Sequence, residues 1–332
     1  MTTARRGLLG YGLALGSGLL PGRTALAQGA AGQAFPSRPL RLIVAFTPGG
    51  PSDVIARILG NQLGHLLGQP VVIENRPGAG GNVAGEMVAK ATPDGITLLM
   101  ANNSILAANS FLYRNTPFDP LRDFAPIALI GSQPNVLVVN PTLPVHSLAE
   151  LTALAKARPG ALNYASSGSG TAAHLAGELY RLRAQVDIVH VAYRGAAPAL
   201  TDLVDGRVQL MFATSASVIP LIQGGALRPL AVTTPARSAA LPNLPTVAEA
   251  GLPGFDATTW HGIVAPAGTP VDIVLTLATA ISAALQDISV KPRLTELGVE
   301  FMPSTPESFA GYIRAESASW GEVIRTAGIR VD

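Results

Sequence analysis

Leu40–Glu74, LRLIVAFTPGGPSDVIARILGNQLGHLLGQPVVIE, decides the fold class. Leu40–Phe46 and Val71–Glu74 are short runs rich in Val and Ile, and read as strands. Between them, Asp53–Leu67 sets Ile55, Ile58, Leu59, Leu63, Leu66 and Leu67 at the three- and four-residue spacing of a helix. Strand, helix and strand in that order form a βαβ unit, which places two strands in parallel.

The alternation continues outward. Gly85–Ala91 reads as a short helix, Thr97–Ala101 and Ala125–Ile130 as strands. A second series begins with a strand at Val136–Val139. Ser147 caps a helix running to about Ala157, and Glu150 stands where a capping box needs it. Strands follow at Leu162–Ala165, Asp187–Tyr193, Val208–Phe212 and Leu230–Val232, with helices at Ala172–Leu182 and Ala197–Val204. One more strand, Trp260–Ala265, precedes helices at Val271–Gln286, Lys291–Gly298 and Pro306–Ala327. The pattern predicts an α/β protein built on parallel sheets.

At Gly131–Pro134 one β run ends and the next begins without a helix, and a second crossing is expected between Gly254 and Gly262. These crossings predict two lobes, 37–132 plus 260–332 and 133–259, around a cleft where a ligand can sit. Trp260 falls at the return crossing, as hinge packing or as a cleft wall.

Residues 1–27 read as an export signal. Arg5 and Arg6 form the basic start, Gly7–Leu20 the uncharged apolar stretch, and Ala25-Leu26-Ala27 a small-residue cleavage site. The paired arginines point to the twin-arginine route. Residues 28–36 are a flexible lead-in, and the mature protein is expected to be soluble in the periplasm. The chain has no cysteine, so no disulfide braces it and no lipid anchor can form on a thiol. Without residues 1–27 it carries 20 basic and 21 acidic residues. That balance, with 5% aromatic residues, argues against a nucleic-acid partner.

Two Gly-rich loops carry the candidate chemistry. Thr47-Pro48-Gly49-Gly50-Pro51-Ser52-Asp53 follows the first strand, and Ser166-Ser167-Gly168-Ser169-Gly170-Thr171 follows a strand of the second series. Each opens a helix, where unpaired N–H groups and the helix dipole favour an anion. A single loop of this kind is equally well a tight turn, but two of them on opposite lobes favour binding. Arg76–Asn82 and the strand-end residues Asn102, Asn103 and Ser104 are weaker candidates, since ordinary turn chemistry also accounts for them.

Rival sites fail on spacing. Gly168-x-Gly170-x-x-Ala173 lacks the acidic residue that a dinucleotide site needs at the end of the next strand, which here reads Ala192-Tyr193-Arg194. The chain contains no phosphate-binding G-x-x-x-x-G-K-[ST] and no G-x-S-x-G. The histidines, His65, His146, His174, His190 and His261, form no tight metal pair. No metal or cofactor is expected. His174, just beyond the second Gly-rich loop, can reach a ligand or simply pack.

The chain resembles the Bug-type solute receptors, the substrate-binding component of tripartite tricarboxylate transporters. The likeness runs through PGGPSDVIAR (Pro48–Arg57), VVIENRPGAGGNVAGEMVAKATPDGITLL (Val71–Leu99), LNYASSGSGTAAHLAGEL (Leu162–Leu179) and HVAYRGAAPALTDLVDGRVQLMF (His190–Phe212). It continues in LPNLPTVAEAGLPGF (Leu241–Phe255) and WHGIVAPAGTP (Trp260–Pro270). The resemblance implies a two-lobed periplasmic binding protein fold of type II-like form, with a ligand cleft between the lobes. It also implies a monomer that is not an enzyme, binds a small organic carboxylate and hands it to a membrane permease or a sensor.

By the same resemblance the ligand meets Phe46, Thr47, Gly49 and Gly50 on one lobe and Ser166, Ser167, Gly168, Gly170 and Thr171 on the other. Asn102, Ser104, His174, Arg194 and Thr214 join them as candidates. Arg194 holds the family's basic position and either pairs with a ligand carboxylate or forms a surface ion pair. Where the family often has Asp after its Met-Phe pair, this chain has Ala213, followed by Thr214 and Ser215. That departure favours an acid without an amine. The alternative is a periplasmic hydrolase or lyase pairing His174 with an Asp of the facing lobe.

Overall fold

The computed structural model describes residues 35–331. The expected export signal and most of the expected lead-in lie outside the described residues. The opening βαβ unit is β1 (Leu40–Val44), α1 (Pro51–Leu67) and β2 (Val71–Asn75). Pro51 sits at the first helical position, where its fixed φ suits the helix and no N–H is needed. Ile55, Ile58, Leu59 and Leu63 are buried, and Gly68 at φ +69° ends the helix.

Next come α2 (Asn82–Ala89), β3 (Thr97–Asn102), a π-type turn at Ser104–Ala108, α3 (Asn109–Leu112) and β4 (Phe124–Gln133). The chain crosses at Pro134 into β5 (Asn135–Val139), α4 (Leu148–Ala157), β6 (Asn163–Ser166), α5 (Ala172–Ala184) and β7 (Val189–Ala192). It continues through α6 (Ala196–Val204), β8 (Leu210–Thr214), α7 (Ser215–Gln223) and β9 (Arg228–Val232). It returns as β10 (Thr259–Pro266) and finishes with α8 (Val271–Gln286), α9 (Lys291–Glu296), β11 (Glu300–Phe301) and α10 (Pro306–Ala327).

Two sheets result, ordered β11-β4-β10-β3-β1-β2 and β7-β6-β8-β5-β9. Both are mixed, which corrects the expectation of parallel sheets. β1 is parallel to β2 and β3, and β6 to β7 and β8. β10, however, is antiparallel to both β3 and β4, and β5 to both β8 and β9. The crossings are the cause. A chain that leaves one sheet along β4 and comes back along β10 re-enters in the opposite direction, so outgoing and returning segments pair side by side, Thr259 opposite Gln133.

Buried hydrogen bonds hold this double crossing. Asn135 Nδ2 donates to Ala257 O (2.7 Å) and Thr259 Oγ1 (3.1 Å), and Thr233 Oγ1 donates to Ala257 O (3.0 Å). Trp260 is fully buried on the other face of β10. Its Nε1 donates to Glu316 Oε2 at 2.8 Å, and its ring meets Phe309 and Tyr312 edge-on. Trp260 is therefore packing at the crossing and not a cleft wall.

Alternation along the strands serves two cores. Val136 and Val138 of β5 join Ala165, Leu203, Met211 and Val218, while Leu137 and Val139 join Tyr164, Tyr180 and Phe212. Sequence patterning missed α7, the 104–112 turns and β11. α7 contains Pro220, a residue that argues against a helix interior, and the other two are too short to show a period. At α4, Ser147 accepts from Glu150 N as expected, but the Glu150 carboxylate bonds His146 N, one residue earlier than a capping box requires.

Candidate functional site

The first turns of four helices face one cavity of about 100 Å³ between the sheets. Pro51 and Ser52 come from α1, Thr171, Ala172 and Ala173 from α5, Gly195 and Ala196 from α6, and Thr214 and Ser217 from α7. None of these four helices has a side-chain cap on its leading N–H groups. α4 and α10 are capped by Ser147 and Thr305, whereas α2, α3, α8 and α9 also lack a side-chain cap, so what sets the four apart is their convergence on one cavity. A helix leaves its first N–H groups without intrahelical partners and carries partial positive charge there. Proline at the third position of α6 and at the first of α1 removes one such donor from each. Among the described residues lining this cavity no side chain is charged. It is a neutral chamber with donors aimed inward, an arrangement suited to an anion of small size.

The Gly-rich loops are fixed by their own hydrogen bonds. Asp53 is buried and accepts from Gly49 N (2.9 Å), Arg57 Nε (3.0 Å) and Asn75 Nδ2 (2.9 Å). Burial pushes its carboxyl pKa up, but these bonds outweigh it and hold the group below its ordinary value. In the second loop Ser166 Oγ accepts from Gly168 N (3.2 Å), Thr171 Oγ1 donates to Gly168 O (2.7 Å), and His174 Nδ1 accepts from Gly170 N (3.1 Å). The amides of Gly49, Gly168 and Gly170 are thus committed inside the loops. The donors left over are those of the helix first turns, apart from Ser215 N of α7, which donates to Pro134 O at 2.9 Å, and the N-cap amides of Thr171 and Gly195, which donate to Gly168 O and Ser167 O. Gly168 at φ +137° and Gly170 at φ +78° occupy backbone conformations that favour glycine.

A polar column lies beneath the second loop. The rings of His174 and His190 stack at 4.0 Å, His190 Nε2 bonds Ser166 Oγ at 2.6 Å, and Tyr164 donates to Glu178 Oε1 at 2.6 Å. Burial depresses both histidines to a pKa of about 4, so they are neutral supports. The pairing of His174 with an Asp of the facing lobe is not found. Its ring is held by Gly170 and His190, and among the described residues it bonds no carboxylate.

Of the residues singled out in the sequence, Phe46, Thr47, Gly50, Asn102, Ser167, Thr171 and Thr214 line the inner cavity. Gly49, Ser104, Ser166, Gly170 and His174 are not part of its lining, and Gly49 is exposed. Ser104 is wholly buried with no partner for its hydroxyl. Gly168 and Arg194 instead line an outer cavity of about 480 Å³, together with Pro77–Gly81 and Tyr113. The two cavities share Phe46, Thr47, Ser167, Thr171 and Gly195. Arg194 is exposed and is the single charged side chain among the described residues lining either cavity.

Sequence reasoning missed Asn135, Thr259 and His261 on the crossing strands, and Met211 on β8. The available signal was alternation, which sets Thr259 and His261 on one face of β10 and Trp260 on the other. His261 is buried, with Nδ1 3.4 Å from Ser52 Oγ and Nε2 3.0 Å from Gln133 Oε1. Burial lowers its pKa to about 4.

Solved structures share this architecture. An R. palustris protein with adipate is 41% identical, with a TM-score of 0.85 over 90% of this chain and 100% of that one. MatC from Rhodopseudomonas palustris, with bound malate, is 34% identical, with a TM-score of 0.82 over 87% of this chain and 100% of that one. In sequence, BugT of Bordetella pertussis is 39% identical over 298 residues, which is 90% of this chain and 91% of BugT. A protein encoded between tcbD and tcbE in Pseudomonas sp. strain P51 is 41% identical over 292 residues, 88% of this chain and 87% of its own. The profile of the tripartite tricarboxylate transporter family receptor matches residues 55–329. With its two-sheet architecture and this match along most of its length, the chain belongs to the receptors of the tripartite tricarboxylate transporter family.

Proposed function

We propose that the protein is an exported periplasmic receptor that captures a small organic carboxylate between its lobes, 37–132 plus 260–332 and 133–259. The observation that carries this reading is the convergence of four uncapped helix N-termini, one from the first lobe and three from the second, on a cavity without a charged side chain. Partly buried helix termini stabilise an anion by up to about 2 kcal/mol each. Four of them supply at most about 8 kcal/mol before the desolvation of the carboxylate is subtracted. About 8 kcal/mol is the scale of a micromolar complex, so contacts to the rest of the ligand must offset the desolvation. The neighbours with adipate and malate support the same class of ligand.

One carboxylate sits in the inner cavity, and Met211, Ala213 and Phe46 flank the hydrocarbon body. The remainder extends into the outer cavity towards Arg194, which pairs with a second acidic group where the ligand has one. Binding selects a closed state, since the ligand touches both lobes. A side chain at Gly195 would stand 3.6 Å from the Thr47 hydroxyl, so the lobes already approach closely at the mouth. The receptor works as a monomer and delivers its ligand to a permease or a sensor. Among the described residues no helix is long and apolar enough to cross a membrane.

A thermal-shift panel of mono-, di- and tricarboxylates, amino acids and sugars tests the reading. At a ligand concentration of about 100 times Kd, linkage adds about 2.7 kcal/mol. That would raise Tm by roughly 5–10 °C in a domain of about 150–250 residues, and by no more than that in this longer chain. Shifts confined to sugars or amino acids would overturn it.

A further inference from the structure

Among the described residues lining the inner cavity, one side chain, His261, can gain a charge near neutral pH. His261 on β10 is buried, and both its ring nitrogens are engaged. Gln133 Nε2 donates to Leu297 O at 2.8 Å, so the Gln133 atom facing the ring is the carbonyl oxygen Oε1, an acceptor. His261 Nε2 therefore carries the ring hydrogen, and Nδ1 is an acceptor facing the Ser52 hydroxyl. Ser52 in turn lines the cavity on the first turn of α1.

In the state without ligand the Ser52 hydroxyl hydrogen is spent on His261, so Ser52 itself offers an anion no donor. A carboxylate in the cavity competes for that hydrogen. If Ser52 turned to it with the ring neutral, Nδ1 would remain a buried acceptor with no donor before it. A proton on Nδ1 resolves both demands. The imidazolium donates from Nδ1 to Ser52 Oγ, and Nε2–H keeps its bond to Gln133 Oε1, which accepts in either state. The Ser52 hydroxyl hydrogen is then free for the ligand.

We propose that a carboxylate enters this cavity together with one proton, taken from solvent onto His261 Nδ1 and relayed as a hydrogen bond through Ser52. The ligand stays ionised, no bond within it changes, and the cavity gains the side-chain cation it otherwise lacks. The inference rests on the carboxylate reading of the cavity.

Charged groups packed near the ring do not supply that cation or hold the proton in the free protein. On α1, Asp53 is saturated by Gly49, Arg57 and Asn75. On α10, Glu316 is bound to Trp260, which lies on the opposite face of β10. On α2, Glu86 pairs with Lys90. On β11, Glu300 pairs through its backbone with Ser132 of β4. β3 sets Asn102 opposite His261 and carries no charge. Burial alone holds the empty-state ring near a pKa of about 4, and a carboxylate in contact raises it.

Calorimetric titration with adipate and malate, at about pH 6 in buffers of different ionisation enthalpy, counts the protons directly. We expect uptake approaching one proton per ligand. Affinity should fall with rising pH by up to about tenfold per unit between the free-state pKa of about 4 and the pKa of the bound state, and level off above it. In His261→Gln, uptake and the pH slope should both vanish. Uptake near zero in the unmodified protein overturns the proposal, and so does uptake that survives His261→Gln. Should that variant not fold, the imidazole ¹⁵N shifts of the unmodified protein decide, because an Nδ1 left unprotonated in the complex is equally fatal. Failure of every carboxylate in the panel to bind would overturn the reading of the cavity itself.

Discussion

Replacing Ala213 with Asp puts the charge argument under the most direct strain. Ala213 is 2% exposed on β8, lines the inner cavity, and stands one residue before the N-cap of α7. A sphere of about 100 Å³ has a radius of about 3 Å, so an anion inside stays about 5 Å from a carboxylate on that wall. At an effective dielectric constant of about 20, two like charges at that separation repel by about 3 kcal/mol. Kd for a carboxylate should therefore rise by roughly two decades in Ala213→Asp. The new carboxylate also satisfies the helix termini itself, so the ligand-free protein should not lose stability to match. Ala213→Asn is the steric control and should lose far less affinity. Acidification that neutralises the introduced carboxyl should restore part of the binding. Titration calorimetry with an acid that binds the unmodified protein is the measurement. If Ala213→Asp binds that acid within about threefold of the unmodified protein, charge at this wall does not govern ligand class and the reasoning fails.

Gly168→Val should lose binding while keeping the overall fold, because φ +137° is hostile to a β-branched residue and the loop must shift; unchanged affinity in a folded variant would show the loop to be only a turn. Asp53→Asn should cost about 2 kcal/mol in a denaturant titration, since its amide cannot accept from Gly49 N, Arg57 and Asn75 together. The Asp53 carboxyl is held below its ordinary pKa, so its stabilisation is complete above the usual carboxylate range and is lost as pH falls through the lowered value. The Asn variant should lack that part of the acid limb. His174, His190 and His261 are each held near a pKa of about 4 in the folded protein, whereas the unfolded chain takes up protons from about pH 6.5 downward. Ligand-free Tm should accordingly fall as pH drops from about 6.5 to 4, and a flat profile over that window would contradict neutral buried rings.

Legibility in the sequence followed locality. Val271–Gln286 and Pro306–Ala327 are helices with the bounds their patterning predicts, since apolar spacing and punctuating Pro agree there. The helix-opening loops at 47–53 and 166–171 stood out because Gly, Ser and Thr cluster where strands end. The antiparallel insertion of β10 between β3 and β4 left no trace, because it pairs segments far apart in the chain. Asn135, Thr259 and His261 were hidden for the same reason: they stand among other polar residues at strand starts, Ser132-Gln133 before Asn135 and Asp256 and Thr258 before Thr259, and only the double crossing turns them to a common face. The glycine amides misled in a different way. Their sequence context advertises donors, but Asp53, Ser166 and His174 consume those donors to shape the loops.

A chamber whose donors belong to the main chain separates two kinds of inheritance. Substitution can exchange the wall residues Met211, Ala213 or Phe46 without removing a single amide from the four helix starts. The capacity to seat an acid is then stored in the course of the backbone, while the choice among acids is stored in a few replaceable side chains. Duplicated copies of such a gene can drift towards new ligands by single mutations, because no intermediate has to abandon anion binding on the way.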